Sequence, residues 1–285
     1  MRRGATAIGQ VTASFGRARE AGYPQDAREE PASVREVLRI LIAIGVGLVT
    51  AQLAIVPTTI YLHRSLAHKA VTYSPPVRFM FRLILWLTTG IKEREWAAVH
   101  RRHHAFTDVE GDPHSPLLLG VWRVEWTNGW LYRKTARDGV TVQRYARDLK
   151  PDRLDRLVFD HALVGLGLGT TILCLALGWQ YGLLAAGVHL VSYLLLNGAV
   201  NSFAHVYGRQ PYDNTAHNLQ LLAFFVAGEG LHNNHHSAPT SARLSHRRGE
   251  LDPGWWVICA LVALRGAKVR IAQPRLRRPA SVTAS

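Results

Sequence analysis

Fourteen histidines occur among 285 residues, and eight of them fall into three tight groups: His63 with His68, His100 with His103 and His104, and His232 with His235 and His236. Eight imidazoles exceed what one cation uses and suit two; iron, zinc, copper and nickel all accept this ligand type. His100, His103 and His104 stand at i, i+3 and i+4, as do His232, His235 and His236. On a helix each trio projects from one face, so each is expected to converge on a metal. His63 and His68 are five residues apart, about 140° around a regular helix, so they flank a site or bind different metals. His114, His161, His189, His217 and His246 read as hydrogen-bonded core or surface residues.

Other metal signatures are missing. No His-Glu-x-x-His element occurs, which argues against a zinc protease of that type. Glu229-x-x-His232 matches the Glu-x-x-His element of ferritin-like dimetal bundles, but it occurs once where those use two copies. Cys174 and Cys259 lie far apart in apolar surroundings and support neither a disulfide framework nor a thiolate site.

The elements that must hold these groups are apolar helices. The chain is 48% apolar and carries 34 Lys and Arg against 20 Asp and Glu, a net charge of +14. Such a charge fits nucleic acid or anionic lipid, and the long apolar runs favour lipid. Residues 37–62 are long enough to cross a bilayer, and 162–178 with 181–200 read as a transmembrane hairpin. The run 77–91, short and with Arg78 and Arg82 one turn apart, reads as an amphipathic helix at the interface, and 219–227 and 255–264, about half the length of a span, read as interfacial or buried helices. Residues 92–156 are rich in Lys and Arg, which places them on the cytoplasmic side. Residues 1–34 read as a flexible tail and 266–285 as a basic, disordered one. Three spans put the N-terminus opposite the histidines; a re-entrant 37–62 is the alternative, since about 26 residues at 1.5 Å each cannot cross twice. The fold class expected is all-α: an integral membrane helical protein whose cytoplasmic helical cap carries a histidine-ligated dimetal site.

These residues resemble the membrane fatty acid desaturase family, in its bacterial acyl-CoA (stearoyl-CoA, delta-9-type) branch. The resemblance rests on His63-Arg-Ser-Leu-Ala-His68, Glu95-Trp96 before His100-Arg-Arg-His-His104, Asp112-Pro113-His114, Asn201-Ser-Phe-Ala-His205, Pro211-Tyr212-Asp213 and Gly228-Glu-Gly-Leu-His-Asn-Asn-His-His236. It covers 58–237, within a desaturase domain drawn at 35–265. It implies two iron ions, nine histidine ligands with His205 joining the eight, and a metal-bound water on Asn201. With all-histidine ligation, Glu229, Asp112 and Asp213 are left to orient imidazoles.

An unactivated methylene has no acidic proton and no leaving group, so acid–base and nucleophilic residues cannot attack it, whereas iron with O2 can. The activity implied is O2-dependent insertion of a cis double bond into a saturated acyl chain, an oxidoreductase step of lipid biosynthesis. An acyl hydroxylase uses the same oxidant and is the alternative; a membrane metal-binding or transport protein would need polar residues through its spans. Ala98 and Val99 stand where the acyl-CoA branch has an Arg-Asp pair for the nucleotide head, so the carrier is CoA or another group. Arg94, Arg101 and Arg102 are the candidate head-group residues. No Cys-x-x-Cys set or haem motif is present, so electrons come from a separate donor, ferredoxin-like with its reductase, on the basic cytoplasmic face. Nucleic acid is not an expected partner, because acidic residues and apolar runs interleave the basic ones.

Overall fold

The computed structural model describes residues 31–273. The chain divides into two units, Met1–Leu38 and Arg39–Ser285. Of the first, only 31–38 are described, and they begin α1 (Ala32–Pro57); the tail expected over 1–30 lies outside the described residues.

α1 runs directly into a π-helical segment, Thr58–Ala67, that carries His63. From Ala43 its buried side is a stripe of small residues, Ala43, Gly47, Ala51 and Ala54, while Leu41, Leu48, Val49 and Leu53 face outward. Small residues let helices approach closely: a Cβ on Gly47 would meet the Ala185 carbonyl at 2.6 Å. β1 (Val71–Tyr73) follows, then α2 (Pro75–Thr88) and α3 (Glu93–Ala105), which bears the second histidine group. The short α4 (Pro116–Leu119), α5 (Val121–Ala136) and α6 (Gly139–Tyr145) come next. A second π turn, Asp155–Phe159, precedes the hairpin of α7 (Ala162–Leu177) and α8 (Trp179–Asn201). Gly178, at φ 84°, makes the one-residue turn between them, a backbone region that side chains disfavour. A 3-10 turn (Phe203–His205), α9 (Gln220–Phe225), α10 (His232–Ser237), α11 (Pro253–Ala263) and β2 (Ala267–Val269) complete the order.

The chain is mostly helical, and two helical stretches, Ala32–Ala67 and Trp179–His205, are long and apolar enough to cross a membrane; Ala162–Leu177 is a shorter apolar helix. Three expectations need correction. β2 pairs antiparallel with β1, Val71 opposite Val269 and Tyr73 opposite Ala267, so the tail expected from 266 starts only after a strand that main-chain bonds hold; residues 274–285 lie outside the described range. The two strands also qualify the all-α expectation. Finally, α2, expected as an interfacial helix, keeps Arg82 buried between Asp152, Asp155 and Glu93, with a bidentate contact to Asp152 at 2.7 and 3.1 Å. Three carboxylates surround its guanidinium and offset its charge, which apolar contacts could not.

Candidate metal centre

All nine histidines come together, in two adjoining groups. His63, His68, His100, His104 and His235 form one; His103, His205, His232 and His236 form the other, and within each the facing ring nitrogens lie within 4.8 Å of one another. Each trio is therefore split, contrary to the expectation that it converges on one metal. Residues i and i+4 are about 40° apart around a helix, whereas i+3 lies about 60° away on the other side. His100 and His104 of α3 accordingly face the first group and His103 the second, while His232 and His236 of α10 face the second and His235 the first.

Of the two arrangements expected for the first pair, the structure shows the one in which both histidines sit at one group. The main-chain N–H of His68 donates to the carbonyl of His63 at 3.1 Å, an i to i+5 bond. In a π turn, residues five apart stack on successive turns. Their rings meet at 4.8 Å, and both belong to the first group.

The donor set fits metal ions. Nε2 atoms face one another at 3.1 Å for His63 and His235, 2.8 Å for His68 and His100, 2.9 Å for His104 and His235, 3.0 Å for His205 and His232, and 3.2 Å for His232 and His236. Metal–imidazole bonds of roughly 2.1 Å set at right angles put neighbouring nitrogens about 3 Å apart. The Nε2 of His103 is buried without a partner, as a nitrogen kept for a cation would be. Burial, with the proximity of the other imidazoles, holds His68, His100, His104, His232, His235 and His236 well below the usual histidine range. They are thus neutral, with lone pairs free for a metal.

Carboxylates fix several rings from behind. His103 Nδ1 donates to both oxygens of Asp112 at 3.0 Å, and Glu229 Oε2 lies 2.8 Å from His63 Nδ1. Asp112 also accepts main-chain N–H groups of Asp108 and His114. Burial would raise the pKa of Asp112, but the His103 hydrogen bond and charge outweigh it and hold the group below the usual carboxylate range. Asp213, expected in the same role, is exposed. The residue that takes it is Asp108, which accepts from His205 Nδ1 at 2.8 Å and from Ser115 and Thr215. No sequence signal marked Asp108; its contact with His205 spans 97 residues.

α10 is six residues long and entirely polar, His-Asn-Asn-His-His-Ser, yet buried. Its histidines face the metal groups and its two asparagines lock the opposite side. Asn233 bonds to the main chain of Tyr212 in both directions and to Asn214 and Ala216; Asn234 bonds to Asn218, the Leu244 carbonyl and Glu250. Behind the site, Arg64 is fully buried and bidentate to Asp252, and donates to the carbonyls of Ala227 and Ala242. A Cβ on Gly228, at φ 101°, would collide with both Asp252 and Arg64.

A cavity meets the histidines. His63, His100 and His232 lie on its wall beside apolar Ile55, Val99 and Val226, and Asn201 faces it with its Nδ2 donating to Asn128 Oδ1 at 2.9 Å. His114, read as an ordinary core residue, also lines it, with its ring stacked on His103 at 4.6 Å. The arginines expected at a head group fare unequally. Arg101 is fully engaged with Asp148 and the carbonyls of Leu66, Ala67 and Tyr145, whereas Arg102 donates from Nε to the Gly111 carbonyl and from Nη1 to Thr141. Arg94 lines a second cavity.

Comparison with known proteins agrees with the site. The chain is similar to the delta-9 acyl-lipid desaturase 1 of Arabidopsis thaliana, 30% identical over 76% of this chain and 71% of the relative. It is also similar to the sn-1 stearoyl-lipid 9-desaturase of Synechocystis, 28% identical over 74% and 65%, and to the hex-5-enoyl-[acyl-carrier protein] acetylenase of Moorena producens, 28% identical over 74% and 71%. Residues 39–264 match the family model described as fatty acid desaturase. An oxidoreductase family whose members act on acyl chains accounts for imidazoles gathered at the end of an apolar cavity, and this chain belongs to the fatty acid desaturase family.

Proposed function

We propose that the chain is an O2-dependent fatty-acyl desaturase that inserts a cis double bond, delta-9-type, into a saturated acyl chain, with two irons held by the nine histidines. The observation that carries this reading is the pair of imidazole groups abutting an apolar cavity. Iron bound there supplies, with O2 and external electrons, the oxidising power that an unactivated methylene demands. In the balanced reaction two hydrogens leave adjacent carbons, two electrons and two protons enter from outside, and O2 becomes two waters.

The residues' tasks follow from their contacts. Asp108, Asp112 and Glu229 turn the Nε2 atoms of His205, His103 and His63 toward the metals. Asn201 gives its Nδ2 to Asn128 and keeps its carbonyl oxygen to accept from a water. Ile55, Val99 and Val226 exclude water and hold one C–C bond beside the imidazoles.

The carrier is a membrane lipid in this reading. Ala98 is fully buried and Val99 faces the acyl cavity, so neither can touch the nucleotide head of an acyl-CoA. Two of the similar proteins carry acyl-lipid or stearoyl-lipid in their names. α1, α7 and α8 cross the membrane and the histidines face the cytoplasm, where a separate ferredoxin-like donor docks on the basic surface. Expression in a desaturase-deficient host with a suitable electron donor is expected to yield monounsaturated acyl groups by mass spectrometry of lipids. Hydroxylated acyl chains alone would favour the hydroxylase, and unchanged lipids would refute both.

A further inference from the structure

The structure assigns a side door to the catalytic cavity, between α5 and α8, through which the acyl chain of a bilayer glycerolipid enters without leaving the membrane. This rests on the desaturase reading above and adds to it the route of the substrate. Leu194 is the one cavity-lining residue among those described that is also exposed, at 41%. It lies on α8, one of the two stretches apolar enough to span, and about 10 Å along the helix from Asn201 at 1.5 Å per residue. The cavity therefore reaches the surface on the flank of an apolar helix.

Facing it stands Gly129 of α5, also lining the cavity. A Cβ there would meet Leu194 Cδ2 at 3.4 Å, ordinary van der Waals contact, so the helices close on one another here and any larger side chain would wedge against Leu194. The door is thus a closed seam, a leucine side chain resting on a glycine, that opens when Leu194 swings aside. The neighbouring residues of α5 divide cleanly by face. Asn128 and Tyr132 look into the cavity with Gly129. Trp122, Trp126 and Trp130, spaced by four, are exposed on the outer side.

Three exposed tryptophans in one stripe would be costly in water, and indole rings concentrate at the head-group level of bilayers. Arg123, Arg133, Lys134 and Arg137 are exposed along the same helix and its end, with Lys134 Nζ 5.5 Å from the Trp130 ring centre. Cations beside an indole belt complement lipid phosphates. α5 thus rests at the lipid head groups and opens its inner face to the cavity, which places the door against lipid. A second cavity, sharing Ile91 with the first and lined by Lys92, Arg94 and Lys150 among acidic residues, is where a water-soluble acyl carrier would instead approach.

The test uses the full chain, iron-loaded, in nanodiscs containing a phosphatidylcholine with a photoactivatable diazirine in mid-acyl chain. Peptide mapping is expected to show label on Tyr132 and Asn197 inside the cavity and on outward Leu190 of α8. Gly129→Leu, and independently Leu194→Trp, should cut the cavity label about tenfold by locking the seam while sparing Leu190, which also reports a folded, inserted chain. Leu194→Ala should retain the cavity label. Cavity label unchanged in both blocked variants, or lacking in the parent while Leu190 is labelled, overturns the door. Occupancy is read without turnover, so cavity labelling with no unsaturated product counts against the desaturase reading alone. Desaturation of a soluble acyl thioester with no cavity labelling by the lipid counts against the door alone.

Discussion

An imidazole binds a metal through one bare nitrogen, and whatever holds the other decides where that nitrogen points. His205 shows this: Asp108 takes Nδ1 and leaves Nε2 facing His232. Asp108→Asn should lower iron affinity about 10- to 100-fold, read as iron retained after a graded chelator challenge. His104→Ala should abolish turnover and lower iron content measured on purified protein. Arg101, by contrast, belongs to the framework, since every donor of its guanidinium meets Asp148 or a carbonyl. Arg101→Ala should lower the thermal midpoint and leave KM for the acyl substrate unchanged. The gathering of the nine histidines was legible because imidazole clustering is written in residue type and spacing, or, for His205, because its surrounding motif matched a family. The role of Asp108 was not, because nothing local marks it, and only the fold brings it to His205. The partition of each trio was legible in principle from helix angles alone.

Elements here succeed for different reasons. α1, α7 and α8 follow from apolar length, which sequence states outright. α10 has no apolar face and too few residues to persist alone; it exists because Asn233 and Asn234 are bonded to three surrounding segments. Its formation depends on partners distant in sequence, so no periodicity could reveal it. The β1–β2 ribbon escaped notice likewise, being three residues a side. Gly228 sits where α9's exit must clear the Arg64–Asp252 pair. Gly228→Ala should cost on the order of 2 kcal/mol through the positive φ alone, more through the clash, measured as a fall in thermal midpoint in detergent. Iron should remain bound at low temperature if the defect is one of packing.

At the scale of the whole chain, the metal groups join segments from the π turn to α10, so loading should stabilise everything they join. Stripping iron by chelation is expected to lower the thermal midpoint, and re-adding ferrous iron to restore it, in proportion to occupancy. Topology has its own check. Single cysteines placed at Glu110 and at Gly178, in a chain with Cys174 and Cys259 replaced, should react with a membrane-impermeant thiol reagent from opposite sides of sealed vesicles. The π segment carries a last consequence. It differs from a regular helix by one residue per turn, and that surplus residue is what allows a five-residue interval to serve where four would ordinarily be needed. Removing Ser65 would leave two histidines four apart, which an ordinary α-helix also presents on one side. Interval and winding are therefore exchangeable: the shortened segment should unwind its bulge, keep both imidazoles in the first histidine group, and move the fault line to the turn that leads into β1.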